Sequence, residues 1–146
     1  KELTRIAVDL RRFAATRAGL TIEFSADGPP CPVHGNGAEL QQAILNLLIN
    51  AEHALAGTRG RIEVSTETDD EWGVVRVSDN RPQLERHPDD LFEPFVPTRT
   101  PSDTSGLNLF AARVIAEAHG GSLAVDAPEA GASFILRVPA RSSSRR

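Results

Sequence analysis

Glu39-Leu-Gln-Gln-Ala-Ile-Leu-Asn-Leu-Leu-Ile-Asn-Ala-Glu-His-Ala-Leu55 decides how the rest of this chain is read. At about 100° per residue, Leu40, Ala43, Ile44, Leu47, Leu48, Ala51, Ala54 and Leu55 gather into one apolar arc, which Leu45 and Ile49 widen. The segment therefore reads as a largely buried helix. Asn46, Asn50 and His53 fall together on the remaining face, and Glu39 and Gln42 extend them into a narrow polar stripe. Asparagine is a mediocre helix former, so two of them a turn apart beside a core face need a reason. Either the helix walls a polar site, or the stripe is a solvated edge.

Working outward, Leu3, Ile6, Ala7, Leu10, Phe13 and Ala14 repeat at helical spacing and predict an opening helix over residues 2–18, ended by Gly19. Leu20 to Ser25 reads as a strand and Asp27-Gly-Pro-Pro30 as a turn. Beyond the long helix, Ile62, Val64 and Thr66 alternate with Arg61, Glu63, Ser65 and Glu67. With Val74 to Asp79 they predict an antiparallel hairpin wet on one face. Residues 80–103 hold five of the ten prolines and little periodicity, which suits a functional lid or mobile loop better than a simple connection. Ser105 to His119 reads as another buried helix, through Leu107, Phe110, Ala111, Val114, Ile115 and Ala118, and Gly120-Gly121 stops it. Strands at 122–126 and 132–138 close the chain. The expected fold is a two-layer α/β (α+β) sandwich, its mixed and mostly antiparallel sheet covered on one face by about three helices.

A chain of 146 residues with 40% apolar and 25% charged content fits one globular domain, expected over residues 1–140. Arg141 to Arg146 is expected to be a disordered basic tail. A net charge of -4 without an internal Lys/Arg cluster argues against nucleic acid as a partner. The single cysteine, Cys31, rules out an internal disulfide and fits a reducing compartment. No apolar run reaches the roughly 20 residues that cross a bilayer, so no membrane contact is expected of this segment. The expected location is cytoplasmic. With Lys1 first and no methionine, the chain reads as a piece of a longer protein, whose own membrane anchorage it does not report.

Three further places could carry chemistry. Asp79 ends a strand and shares its core-facing side with Val75 and Val77, where a carboxylate is costly unless paired or bound. It could accept a hydrogen bond from an amino group such as that of adenine, or simply start a turn before Asn80. Ser105-Gly-Leu-Asn-Leu109 opens a helix, and free N–H groups beside small residues suit a phosphate, although any helix can begin this way. Leu91-Phe-Glu-Pro-Phe95 reads as packing, with two aromatics anchoring the loop; Thr98 and Arg99 follow, and Arg99 is either a phosphate clamp or a surface charge. The four histidines are scattered without zinc spacing.

In this order the segments resemble the catalytic ATP-binding domain of sensor histidine kinases, in the gyrase–Hsp90–histidine kinase–MutL superfamily with the Bergerat fold. Asn46-Leu-Leu-Ile-Asn50-Ala-Glu-His-Ala-Leu55 is similar to the family's N box, and Val77-Ser-Asp79-Asn80-Arg-Pro-Gln83 stands at the first glycine box. Leu91-Phe-Glu-Pro-Phe95 resembles the F box, and Thr104-Ser-Gly-Leu-Asn-Leu109 stands at the second glycine box, followed by Ala116-Glu-Ala-His-Gly-Gly-Ser122. The resemblance runs from about Gly35 to Pro139. It implies Mg²⁺ at Asn50, with Asn46 lining the same site and His53 near the phosphates of ATP or ADP. Asp79 would accept the adenine amino group, and Phe92 and Phe95 would seat the lid. Thr98 and Arg99 would lie at the phosphate end, and Ser105, Gly106, Leu107, Asn108 and Leu109 would form the cradle. It also implies two partners: dimerisation and phosphoacceptor helices upstream in the parent protein, and a response regulator. None of the four histidines sits in a phosphoacceptor pattern, so no catalytic residue is expected here.

The chain departs from that pattern in its glycines. Arg81 and Gln83 replace both glycines of the first box; Thr104 and Asn108 replace two in the second. Side chains there can obstruct a ligand that the glycines let approach. Two readings follow: a module that binds Mg-ATP and phosphorylates a histidine elsewhere in the parent, or a degenerate, pseudokinase-type domain acting as a regulatory or interaction module. A different ATPase of the superfamily is a third, which Phe-Glu-Pro-Phe speaks against.

Overall fold

The computed structural model describes residues 2–26, 37–55, 59–68, 71–80, 105–126 and 131–139. The elements run α1 (Glu2–Arg17), β1 (Thr21–Ala26), α2 (Gly37–Ala54), β2 (Arg61–Thr68), β3 (Trp72–Asp79), α3 (Ser105–Ala118), β4 (Ser122–Asp126) and β5 (Ala132–Pro139). The sheet order is β1-β2-β3-β5-β4. β1 is parallel to β2, and every other pair is antiparallel. The predicted two-layer architecture and mixed sheet are therefore correct.

Alternation dictates which side of the sheet is covered. Ile62, Val64 and Thr66 of β2 are buried while Arg61, Glu63 and Glu67 are exposed. On β5 the buried set is Ala132, Phe134, Leu136 and Val138. Ile62, Val64, Ala132, Phe134 and Leu136 join Leu47, Leu48 and Ala51 of α2, and Leu55 just beyond it, in one core in which Phe134 is fully buried. α2 packs against both α1 and α3 and rests on β2 and β3. At about 1.5–3 kcal/mol for each large apolar side chain buried, its inner face is a principal source of stability.

The flanking helices depart from expectation in their rotation. α3 exposes Phe110 (37%) and Val114 (48%), which periodicity placed in the core, and buries Leu109, Ala112 and Ala116. α1 likewise buries Thr4, Ala7, Val8 and Ala15 and turns Leu10 and Phe13 outward. Each helix carries two apolar stripes, and the one with small residues faces inward. Small side chains let a helix approach its neighbour closely, and α2 already fills the middle of the layer.

Both outer helices end in the same way. Leu20 N–H donates to Ala15 C=O and Gly121 N–H to Ala116 C=O, each at 2.8 Å, around Gly19 (φ 84°) and Gly120 (φ 81°). These six-to-one bonds close the helices and turn the chain into β1 and β4. Gly121 serves a different purpose: a Cβ there would lie 1.7 Å from the Arg137 carbonyl oxygen of β5. Only a residue without a side chain lets β4 begin against β5. We expect Gly121→Ala to cost about 3 kcal/mol through this backbone clash, and Gly120→Ala about 1 kcal/mol through its positive φ alone. Urea unfolding followed by Trp72 fluorescence checks both values and their order.

Candidate functional site

The middle of the α2 polar stripe is buried, while Glu39, Gln42 and His53 around it are exposed. Asn46 and Asn50 are 6% and 2% exposed, whereas His53, in the helix's last turn, is exposed. Gln42 Nε2 donates to Asn46 Oδ1 at 3.0 Å, one turn apart on the helix. That bond occupies Asn46's acceptor and leaves its amide hydrogens to donate. Asn50 is the reverse case: its Nδ2 is buried and has no hydrogen-bond partner among the described residues. An unmet buried donor costs about 1–3 kcal/mol, so such a group normally meets something beyond the protein's own packing.

The two flanks of α2 meet different neighbours. On one, Arg11 Nε and Nη2 of α1 donate to both carboxylate oxygens of Glu52, at 2.9 and 2.6 Å. On the other, Glu39 and Gln42 line a groove with Val114, Ile115 and Ala118 of α3, and His119 Nε2 lies 4.0 Å from Glu39. The end of α3 therefore lies beside the start of α2, and the helices run antiparallel. Equal rise per residue then brings the first turn of α3, with Asn108, level with Asn50. Asn46, Asn50 and His53 continue the Glu39–Gln42 row, so they lie on the α3 flank.

α3 starts at Ser105 with no acidic residue in its first turn. Its first amides have no intrahelical acceptor, and the positive end of the helix dipole favours an anion. Ser105, Gly106 and Leu107 belong to that turn, Asn108 is half-buried, and the Leu109 side chain lies in the core. Leu109 thus has only its backbone to offer a ligand.

Asp79 closes β3 and is 7% exposed. Its Cα partners are Ile62 on β2 and Ala132 on β5, so apolar residues flank it across the sheet. Ala132 leaves more room beside the carboxylate than any larger apolar residue would. Gly131 turns with φ 86° beside the Asp79 carbonyl oxygen, 3.0 Å from where a Cβ would stand. Asn80 Oδ1 accepts Arg61 N–H at 2.8 Å and fixes the exit of the strand. Pleating puts Asp79 on the side of Val77, the face that α2 covers. Asn50 and Asp79 thus belong to the same helix–sheet layer.

Phe92, Phe95, Thr98 and Arg99, like Arg81, Gln83 and Thr104, lie outside the described residues, as do the tail and the turn at 27–30. Sequence reasoning missed the Gln42 bond to Asn46, although the four-residue spacing carries that signal. It also missed the Ile62–Asp79–Ala132 row, which only strand register reveals.

Residues 35–142 match the histidine kinase-, DNA gyrase B- and HSP90-like ATPase family, and the chain belongs to that family. It is the catalytic domain type found in sensor histidine kinases. The sensor protein CutS of Streptomyces coelicolor is 36% identical over 142 residues, covering 94% of this chain and 34% of CutS. The chain thus spans about a third of that relative's length. The catalytic domain of the histidine kinase ThkA, in a nucleotide-free form, superposes with a TM-score of 0.84 at 27% identity, covering 94% of this chain and 90% of that one. ThkA in complex with the response regulator protein TrrA matches at a TM-score of 0.78 and 25% identity, covering 99% of this chain and 41% of that one. No helix among the described residues is long and apolar enough to cross a membrane.

The Arg11–Glu52 pair holds α1 to the turn of α2 that carries Asn50 and His53. The hydrogen bond to Glu52 raises the Arg11 pKa; burial opposes this and the carboxylate's charge reinforces it. A raised pKa means that Arg11 stays charged through neutral and alkaline pH, and its share of the stability is lost only as pH rises through the raised value. In a double-mutant cycle of Arg11→Met and Glu52→Gln we expect a coupling of about 1–2 kcal/mol from urea unfolding. Added salt should change it little.

Proposed function

We propose that this domain binds Mg-ATP between α2, the start of α3 and the end of β3, and that the parent protein passes the γ-phosphoryl group to one of its own histidines. The observation that carries this is the buried Asn50 Nδ2, a donor with no hydrogen-bond partner among the described residues, set on the flank of α2 that faces the α3 N-terminus, in the layer that contains Asp79. Nothing in the fold or in the relatives described above favours a module without nucleotide.

Each residue type suits one part of the ligand. Asp79, as a carboxylate, accepts the adenine amino group and discriminates against a base that carries a carbonyl there. Asn46, its oxygen taken by Gln42, donates to phosphate oxygens. The free amides of α3 do the same, and His53 stands at the open end of the helix.

Among the described residues no three His, Cys, Asp or Glu side chains form a metal cluster. One neutral amide fits an ion held mainly by phosphate oxygens and water, the usual situation of Mg²⁺ in phosphoryl transfer. When bound, Mg²⁺ would neutralise charge on the phosphates; Asn50 would hold it through the amide oxygen. The protein then contributes position and electrostatics, without forming a covalent bond to the phosphoryl group. The phosphoacceptor helices belong to the parent outside this domain, and a response regulator, as in the ThkA–TrrA complex, is the downstream partner.

Calorimetric titration with ADP and a non-hydrolysable ATP analogue, with and without Mg²⁺, tests the reading. Binding in the micromolar to sub-millimolar range is expected. Asp79→Asn should weaken it at least about tenfold, and Asn50→Ala should remove most of the Mg²⁺ dependence. No detectable binding by the unmodified chain defeats the proposal. Restoring glycine at 81, 83, 104 and 108 together should raise affinity by about tenfold or more, if side chains at those positions obstruct the ligand. Unchanged affinity in that variant would show that they do not.

A further inference from the structure

We propose that Gln42 is a positioning residue for the phosphate end of the site, because it sets which way the Asn46 amide points. The inference rests on the nucleotide reading above and adds to it a residue that acts through another. Gln42, Asn46 and Asn50 stand on successive turns of α2, each four residues from the next. Gln42 Nε2 donates to Asn46 Oδ1 at 3.0 Å. The oxygen and nitrogen of an amide branch apart from one carbon, so Oδ1 turned towards Gln42 turns Nδ2 away from it, along the row towards Asn50. Asn50 thus has a donor beside its own donor. Its Nδ2 is the one buried side-chain polar atom left without a hydrogen-bond partner among the described residues.

The same three side chains can be connected the other way. With the Asn46 amide reversed, its Oδ1 would accept from Asn50 Nδ2, at the four-residue spacing that Gln42 and Asn46 already use. That arrangement would satisfy the orphaned donor inside the helix. It would also spend hydrogens that both asparagines otherwise offer to phosphate oxygens. A donor at position 42 holds Asn46 in the observed orientation, and a side chain that can only accept selects the reverse. The row therefore gives up stability of the empty domain for donors at the ligand. A Gln42 that served the fold alone would show no such trade, since its loss would only weaken the helix.

Urea unfolding without nucleotide reads the row directly. Gln42→Glu, whose carboxylate can only accept, should raise the midpoint by roughly 0.5 M, and Gln42→Met should shift it the same way by less. Both should weaken ADP binding in calorimetry, Gln42→Glu by at least about tenfold. A double-mutant cycle separates these effects from the charge or apolarity of the new side chain. In an Asn46→Ala background, most of the change in midpoint and in affinity should vanish. Equal effects in both backgrounds, or a coupling that lowers the midpoint, overturn the proposal. Coupling in unfolding with no ADP binding by the unmodified chain would instead defeat the nucleotide reading, and the phosphate role of Gln42 with it.

Discussion

A helix has one rotation about its axis, and for α2 the sheet chooses it. Leu40, Ile44, Leu47, Leu48, Ala51 and Leu55 are all buried, and together they outweigh the cost of one orphaned amide several-fold. Once they face the core, Asn46 and Asn50 have nowhere to go but the flank beside α3. The candidate site is therefore a geometric consequence of core packing. Its polar groups are held in place by the same apolar surface that makes them costly to bury.

That coupling explains why α2 was readable in the sequence, rotation included. Its apolar arc is broad and its polar stripe narrow, so only one orientation buries the first and leaves the second at an edge. α1 and α3 were readable as helices but not in their rotation. Each offers two apolar stripes, and the choice between Phe110–Val114 and Leu109–Ala112–Ala116 depends on how close α2 comes. Spacing within one segment does not contain that distance.

Asp79 shows the same boundary between local and non-local information. Its place on the core-facing side follows from period two, and burial of the residue agrees. Its neighbours Ile62 and Ala132 come from strands that the chain reaches 17 residues earlier and 53 later. Pairing across such separations depends on register, which the alternating pattern constrains only to within an even number of residues. The small residue beside the carboxylate thus became visible only with the sheet. For the Pro-rich stretch that carries Phe92, Phe95, Thr98 and Arg99, family resemblance remains the only guide.

The replaced glycines can now be separated by what glycine would have supplied. Asn108 lies inside α3, and no non-glycine residue among those described has positive φ. Its backbone is ordinary helix, so the substitution stores no conformational strain there; what it changes is space. A half-buried Asn level with Asn50 occupies volume at the phosphate end, but it also carries an amide that can donate to an oxyanion. The loss of a glycine at this position is therefore milder than a count of broken boxes implies. Gly131 makes the contrast: with φ 86° and the Asp79 carbonyl close by, the site needs a glycine there, and the chain has kept one.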